Sequence, residues 1–222
     1  MKKTLFSLVL LFLALQTTWA QETSSSSNKL NKLRIGLMLG PSFTKLSIAD
    51  SDVEGSGSRV GFAYGIVFDY NFNDRYAITS GIIGSPGGGG YKGPIKNNDS
   101  TVIDDIKIRM RYIEIPIALK LRTNDFGKFT PYGQVGIAPA FAISSRYDAK
   151  GLGIENEKAG DLTKPLNMFL TVGAGTEYAI ATNTRLFAGL YYNHGFMNVN
   201  DNDLINDKIG TGNFHIRLGV YF

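Results

Sequence analysis

The sequence predicts an all-β fold: an eight-stranded antiparallel up-and-down transmembrane β-barrel spanning residues 33–222. Three observations carry this. Hydrophobicity alternates with period two over runs long enough to cross a bilayer. Connections alternate between short and long along the chain. The composition holds 26 glycines and 12% aromatic residues. That pairing suits strands, turns and close backbone approach, whereas each interior glycine would cost a helix about 1 kcal/mol.

The clearest run is Val60, Phe62, Tyr64, Ile66, Phe68, Tyr70 and Phe72, alternating with Gly61, Ala63, Gly65, Val67, Asp69 and Asn71. One face is bulky and mostly apolar, the other mainly small or polar, and a 3.6-residue period cannot gather that set on one side. The same reading gives strands within 33–40, 76–82, 106–121, 129–143, 168–180, 186–193 and 214–222. Several reach the roughly 9–11 residues that a tilted strand needs to span a bilayer. Near residue 112 the phase slips: Ile106, Ile108, Met110 and Tyr112 give way to Ile113, Ile115, Ile117, Leu119 and Leu121. Pro116 removes a ladder donor close by, and a β-bulge near Tyr112-Ile113 would absorb both.

Connections 73–74, 123–128 and 181–184 are short, while 45–58, 84–105, 145–165 and 196–212 are long and polar. A barrel of the outer-membrane type sorts its loops this way, with short periplasmic turns and long extracellular loops. Tyr70, Phe72, Tyr76, Tyr178 and Phe222 lie near strand ends on the inferred periplasmic side, as an aromatic girdle would. The competing reading is a soluble β-sandwich with its aromatics in the core, but a sandwich has no reason to sort loops by parity.

In a barrel the bulky apolar rows must face lipid, because hydrocarbon offers no water to polar groups. The lumen then holds Arg34, Asp69, Lys107, Arg109, Arg111, Glu114, Lys120, Arg122, Gln134, Glu177, His215 and Arg217. Its expected polar network comprises Arg34, Asp69, Glu114, Lys120, Glu177 and Arg217, with Glu114 and Glu177 set against Arg217 and Lys120. Side chains can just fill an eight-stranded interior, so no wide pore is expected, and the basic excess leaves room for at most a narrow, anion-favouring path.

Residues 1–20 read as a secretory signal peptide: Lys2 and Lys3, the apolar run Leu5 to Leu15, then Thr18-Trp19-Ala20 before the cleavage point. The run falls well short of the ~20 residues of a membrane anchor. Residues 21–32 form a Ser-rich polar linker, expected to be flexible. The net charge of +4 includes Lys2 and Lys3 of the signal, and what remains is too weak to point to nucleic acid. The absence of cysteine rules out disulfides, thiol catalysis and lipoprotein acylation.

No motif carries recognisable chemistry. Gly87 to Gly90 lacks the Lys-Ser/Thr pair of a phosphate loop and reads as a flexible surface loop. Asp201-Asn202-Asp203 and Asp207 lack calcium-loop spacing and read as solvated charge. His194 and His215 lack metal-binding spacing. His194 with Ser144 or Ser145 is the residue pair a membrane acyltransferase or hydrolase would need, but nothing in the sequence supports that geometry. No catalytic residue, cofactor or metal is therefore expected.

The stretch Tyr112-Ile113-Glu114-Ile115-Pro116-Ile117-Ala118-Leu119-Lys120 resembles a recurring strand of the Bacteroidetes outer-membrane β-barrel family, the PorT-like proteins. Pro131 to Gly136, Val172 to Tyr178 and Tyr192 to Gly195 resemble later strands of that family. The likeness covers about residues 33–222, and its Tyr-x-Glu-x-Pro element is the most specific part. It implies an outer-membrane location, makes Pro116 a regular feature, and casts the terminal Phe222 as the signal read by the insertion machinery. The expected partners are outer-membrane lipids, that machinery during biogenesis, and a secretion-system or surface partner. The expected function is a non-enzymatic envelope component or loop-borne binding protein, with adhesion and a narrow channel as alternatives.

Overall fold

The computed structural model describes residues 30–48, 55–97, 100–149, 151, 153–159, 165–197 and 209–222. The expected signal peptide, the linker up to residue 29, and Asp201, Asn202, Asp203 and Asp207 lie outside the described residues.

The strands are β1 (Leu33–Ile48), β2 (Gly55–Asn71), β3 (Tyr76–Asn97), β4 (Ser100–Glu114), β5 (Ile117–Arg122), β6 (Phe129–Ala149), β7 (Ile154–Lys158), β8 (Leu166–Ala179), β9 (Arg185–Gly195) and β10 (Ile209–Tyr221). Each wall strand pairs antiparallel with its neighbours, and β1 pairs with β10, so the sheet closes on itself. A closed wall leaves no unpaired strand edge facing lipid, which is what hydrocarbon demands of β-structure.

The wall has eight strands because β4 and β5 are one strand interrupted at Ile115-Pro116. Glu114 faces Ala140 and Ile117 faces Ile137, so the register is unchanged across the gap. Pro116 cannot donate, but Ile115 N still donates to Pro139 O at 2.9 Å. The expected phase slip in β4 is absent: Tyr112, Glu114, Pro116, Ala118, Lys120 and Arg122 continue one inward row. A bulge does occur nearby, but on β6, where Arg111 and Tyr112 face Ser144 and Ala142 and Ile143 is the extra residue. β7 is a short addition to the outer end of β6.

The tight turns 72–75, 123–128 and 180–184 and both ends of the described barrel lie at one end, which is therefore periplasmic. Asn73 Oδ1 caps the first turn, accepting from Arg75 N and Tyr76 N at 2.9 Å each. At the other end the strands outrun the expected loops. Residues 84–97 and 100–105, expected as loop, are paired strand, and the expected loops 45–58, 145–165 and 196–212 each begin or end in strand. Gly87 to Gly90, expected as a surface loop, instead form a buried stretch of β3 opposite Lys107 to Met110. Glycine is needed there. A Cβ on Gly87 would sit 2.3 Å from the Tyr112 ring, and Gly88 has φ +99.

The apolar rows point outward as expected. Leu33, Ile35, Leu37 and Leu39 on β1, Val60, Phe62, Tyr64, Ile66 and Tyr70 on β2, and Ile115 to Leu121 around β5 present exposed side chains on alternate residues. Two greasy sheets meeting in a sandwich core are thereby excluded. Tyr70, Phe72, Tyr76 and Phe222 are exposed on the periplasmic rim, while Tyr178 packs on Phe129 with ring centroids 4.8 Å apart.

Candidate functional site: the filled lumen

The inward parity of each strand delivers a set of side chains to the lumen, and barrel closure decides which of them meet. Near the periplasmic end β1 supplies Arg34, β2 Asp69, β5 Lys120 and Arg122, and β8 Glu177, all buried. Asp69 is the hub. It accepts from Arg34 Nη2 at 2.7 Å, Lys120 Nζ at 2.7 Å, Arg122 Nη2 at 2.8 Å, Thr79 Oγ1 at 2.7 Å and Tyr221 Oη at 3.2 Å. Arg34 grips Glu177 with two bonds, 2.8 and 2.9 Å, the fork geometry that favours arginine over lysine. Arg122 and Lys120 reach Glu177 at 3.3 and 3.5 Å. The Arg34 guanidinium also lies over the Tyr221 ring, 4.4 Å from its centroid. Three cations thus share two carboxylates, each charge with several partners, as burial requires.

Farther in, Glu114 accepts from Ser85 Oγ and from Asn193 Nδ2. Arg217 lies over Tyr191, 4.2 Å from its ring centroid, and Tyr191 shares a 2.8 Å hydrogen bond with Tyr132. At the extracellular end the interior turns apolar: Leu46, Ile106, Ile108, Met110, Tyr112, Ala138, Ala140, Ala149 and Phe169 form one buried cluster. Tyr112 and Phe169 meet edge-on with centroids 5.9 Å apart.

The expected network is therefore split over two levels. Arg34, Asp69, Lys120 and Glu177 come together, joined by Arg122, while Glu114 and Arg217 lie in the next layer. Of the expected oppositions, Lys120–Glu177 at 3.5 Å is the loosest ion pair of the cluster, and Asp69 outranks both expected carboxylates. Gln134 and His215 are buried inside as expected. Lys107, Arg109 and Arg111 are not in the lumen. With the inward row running Ile106, Ile108, Met110 and Tyr112, they point out of the barrel. The reason is that above the bilayer the barrel has the polarity of a soluble protein, greasy inside and charged outside. The partners Ser85, Asn193 and Thr79, and the buried Arg185 that donates to Thr130 at 2.7 Å, went unnoticed in the sequence. Arg185 had a signal, since it shares the inward parity of Phe187 and Gly189.

The residues weighed for chemistry do not assemble. His194 faces outward and stacks near Tyr192, whereas His215 is buried inside, so the two rings lie on opposite faces of the wall. Ser144 and Ser145 are on β6, separated from the His194 strand by β8. Among the described residues no group of three or more His, Cys, Asp or Glu could hold a metal ion.

The family model described as outer membrane protein beta-barrel domain matches residues 19–201. No curated protein matches the chain. Among solved structures, Neisserial surface protein A is 18% identical, with 86% of this chain and 98% of that one covered and a TM-score of 0.49. OprG from Pseudomonas aeruginosa is 11% identical over 89% and 99% of the two chains, with a TM-score of 0.49. Ail of Yersinia pestis, the attachment invasion locus protein, is 14% identical over 86% and 100%, with a TM-score of 0.44.

Proposed function

Because the chain belongs to the outer membrane protein β-barrel domain family and is a barrel of that membrane, we propose that it neither conducts nor catalyses and that its working part is the extracellular end. The filling of the lumen carries this reading. An ionic layer around Asp69 and an apolar layer around Phe169 lie in series across the bore. A solute would have to part both, and the hydroxyls that meet carboxylates inside the bore, Thr79 on Asp69 and Ser85 on Glu114, are sealed from solvent.

The extracellular end is where the strands outrun the bilayer and where the connections 49–54, 159–165 and 196–208 leave the wall. It is the part free to meet an envelope component or a surface ligand. The resemblance of Tyr112 to Lys120 to the PorT-like pattern bears on fold and location, and both envelope assembly, such as a secretion system, and adhesion would use this end. On the same reading residues 1–20 direct export and Phe222 serves the insertion machinery.

Two measurements test this. The refolded barrel in a planar bilayer is expected to stay silent, and defined ion-selective steps would refute the closed lumen. In cells, replacing residues 198–208 by a short Gly-Ser linker should leave a folded barrel but remove the null phenotype's complementation, whether scored as cargo export or as surface attachment. Complementation that survives every extracellular replacement yet fails when the lumen network is altered would sink the proposal.

A further inference from the structure

The outer wall changes character at one step of β4. Ile113, Ile115, Ile117, Leu119 and Leu121 face outward in turn and cover about 26 Å of strand at ~3.3 Å per residue. At a tilt of about 40° that is roughly 20 Å of height, close to the ~25 Å apolar band of such barrels. The next outward residues are Arg111, Arg109 and Lys107, so the basic run begins where the hydrocarbon ends.

The neighbouring strands extend it sideways. Arg109 is directly opposite Arg146 on β6, and Arg146 is directly opposite Lys158 on β7. Like charges facing each other across a ladder are destabilising, a cost that Arg109 offsets through Asp148 and Arg146 through the Asn156 carbonyl at 3.1 Å. The β6 bulge is what creates the rung. Without the extra Ile143, Arg146 would take the inward parity and Tyr147 the outward one. The acids Asp148 and Glu155 come one rung farther from the membrane, level with Lys107, Asp105 lies farther still opposite Lys92, and Glu157 adjoins Lys158. Of these, Asp148 answers Arg109 at 2.6 Å, while Arg111, Arg146 and Lys158 present exposed side chains.

We propose that the basic rungs of β4, β6 and β7, centred on Arg111, Arg146 and Lys158, bind phosphate groups of outer-leaflet lipid. Any lipid seated against Ile113 and Ile115 must place its headgroup at this height, because the polar layer extends only about 5–7 Å beyond the hydrocarbon. Arginine takes a phosphate through two parallel hydrogen bonds, and lysine adds a mobile point charge. The partner that fits is a lipid carrying more than one phosphate monoester, able to engage two of these side chains at once. This surface is independent of whatever the extracellular loops bind.

The test uses the full chain refolded in neutral detergent, with lipid A as the bisphosphorylated probe and phosphatidylcholine as the reference, read by native mass spectrometry. The wild type should hold lipid A at least tenfold more tightly than phosphatidylcholine. The variant Arg111→Gln/Arg146→Gln/Lys158→Gln should lose that preference, at roughly fivefold per charge near an anionic lipid surface. Lys128→Gln, at a periplasmic turn, should change nothing. Binding by the triple variant within twofold of wild type overturns the proposal. So does an equal loss from Lys128→Gln, which would mean bulk charge alone, or displacement of lipid A by millimolar inorganic phosphate, which would mean a free-anion site. Should the triple variant fail to fold, Arg111→Gln alone must still weaken lipid A several-fold, and an unchanged affinity has the same force.

Discussion

Neutralising Asp69 isolates the electrostatic content of the plug, because Asp69→Asn removes a charge without opening a cavity. In the wild type, Asp69 and Glu177 are shared among Arg34, Lys120 and Arg122. The substitution leaves three buried cations facing one carboxylate, and it turns an amide N–H₂ toward donors that need an acceptor. Removing one partner of a buried ion pair costs about 3–5 kcal/mol, and Asp69 receives three charged donors within 2.8 Å, so the upper part of that range is expected. Glu177→Gln should cost less, since two of its contacts are already long at 3.3 and 3.5 Å. Adding Arg122→Met to Asp69→Asn removes one surplus cation and should recover about 1–3 kcal/mol, a coupling that non-interacting sites would not show. The assay is urea unfolding of the vesicle-inserted barrel, scored by heat-dependent gel migration, since the only tryptophan is Trp19 in the segment expected to be removed. The reasoning is refuted by a cost below about 1 kcal/mol for Asp69→Asn, by a larger cost for Glu177→Gln, or by strictly additive behaviour of the double variant.

Two further outcomes can be read with the same unfolding assay. A Cβ on Gly40 would fall 1.8 Å from Ile216 O of the neighbouring strand, whereas one on Gly133 meets nothing within 4 Å; Gly40→Ala should therefore cost about 1–3 kcal/mol or more, with Gly133→Ala close to neutral, and equal costs would contradict the close approach of β1 and β10. Ile117→Arg, in the middle of the lipid-facing run of β5, should cost about 2–4 kcal/mol in a bilayer, while Lys107→Ile, above the band, should stay within about 0.5 kcal/mol; the reverse order would misplace the membrane boundary drawn at Arg111.

The wall itself was legible because period two over lipid-spanning runs, with one face greasy, has few other physical solutions. Leu33 to Leu39 and Val60 to Phe72 show it in the sequence alone. Parity alone takes the greasy face as the outward face along the whole strand. That holds only at bilayer height. Ile106, Ile108, Met110 and Tyr112 are as apolar as Ile113 to Leu121, but they lie above the membrane, where water is outside and the apolar side turns in. An apparent phase slip is then a change of solvent, with the backbone unbroken. The same inversion explains why the glycine run reads as loop: Gly87 to Gly90 are a stretch of strand that accommodates the Tyr112 ring beyond the lipid.

Partner choice inside the barrel was less legible, for a geometric reason. Parity tells which side chains enter the lumen, but the height at which each arrives depends on register and on the stagger of closure. Asp69 and Arg34 stand opposite each other on adjacent strands, β2 and β1, and a hairpin register could have paired them. Glu177 and Arg34 are 143 residues apart and meet only because β8 lies across the closed bore from β1. Glu114 and Lys120 share a strand face, yet six residues of rise carry Lys120 into the ionic layer and leave Glu114 with Ser85 and Asn193. Charge composition alone would have allowed Glu114 to pair with Lys120 or Arg122. The wall separates Glu114 from Lys120 by about 20 Å of strand and from Arg122 by about 26 Å, more than a Lys or Arg side chain can reach, and so it assigns three cations to Asp69 and Glu177 and gives Glu114 neutral donors.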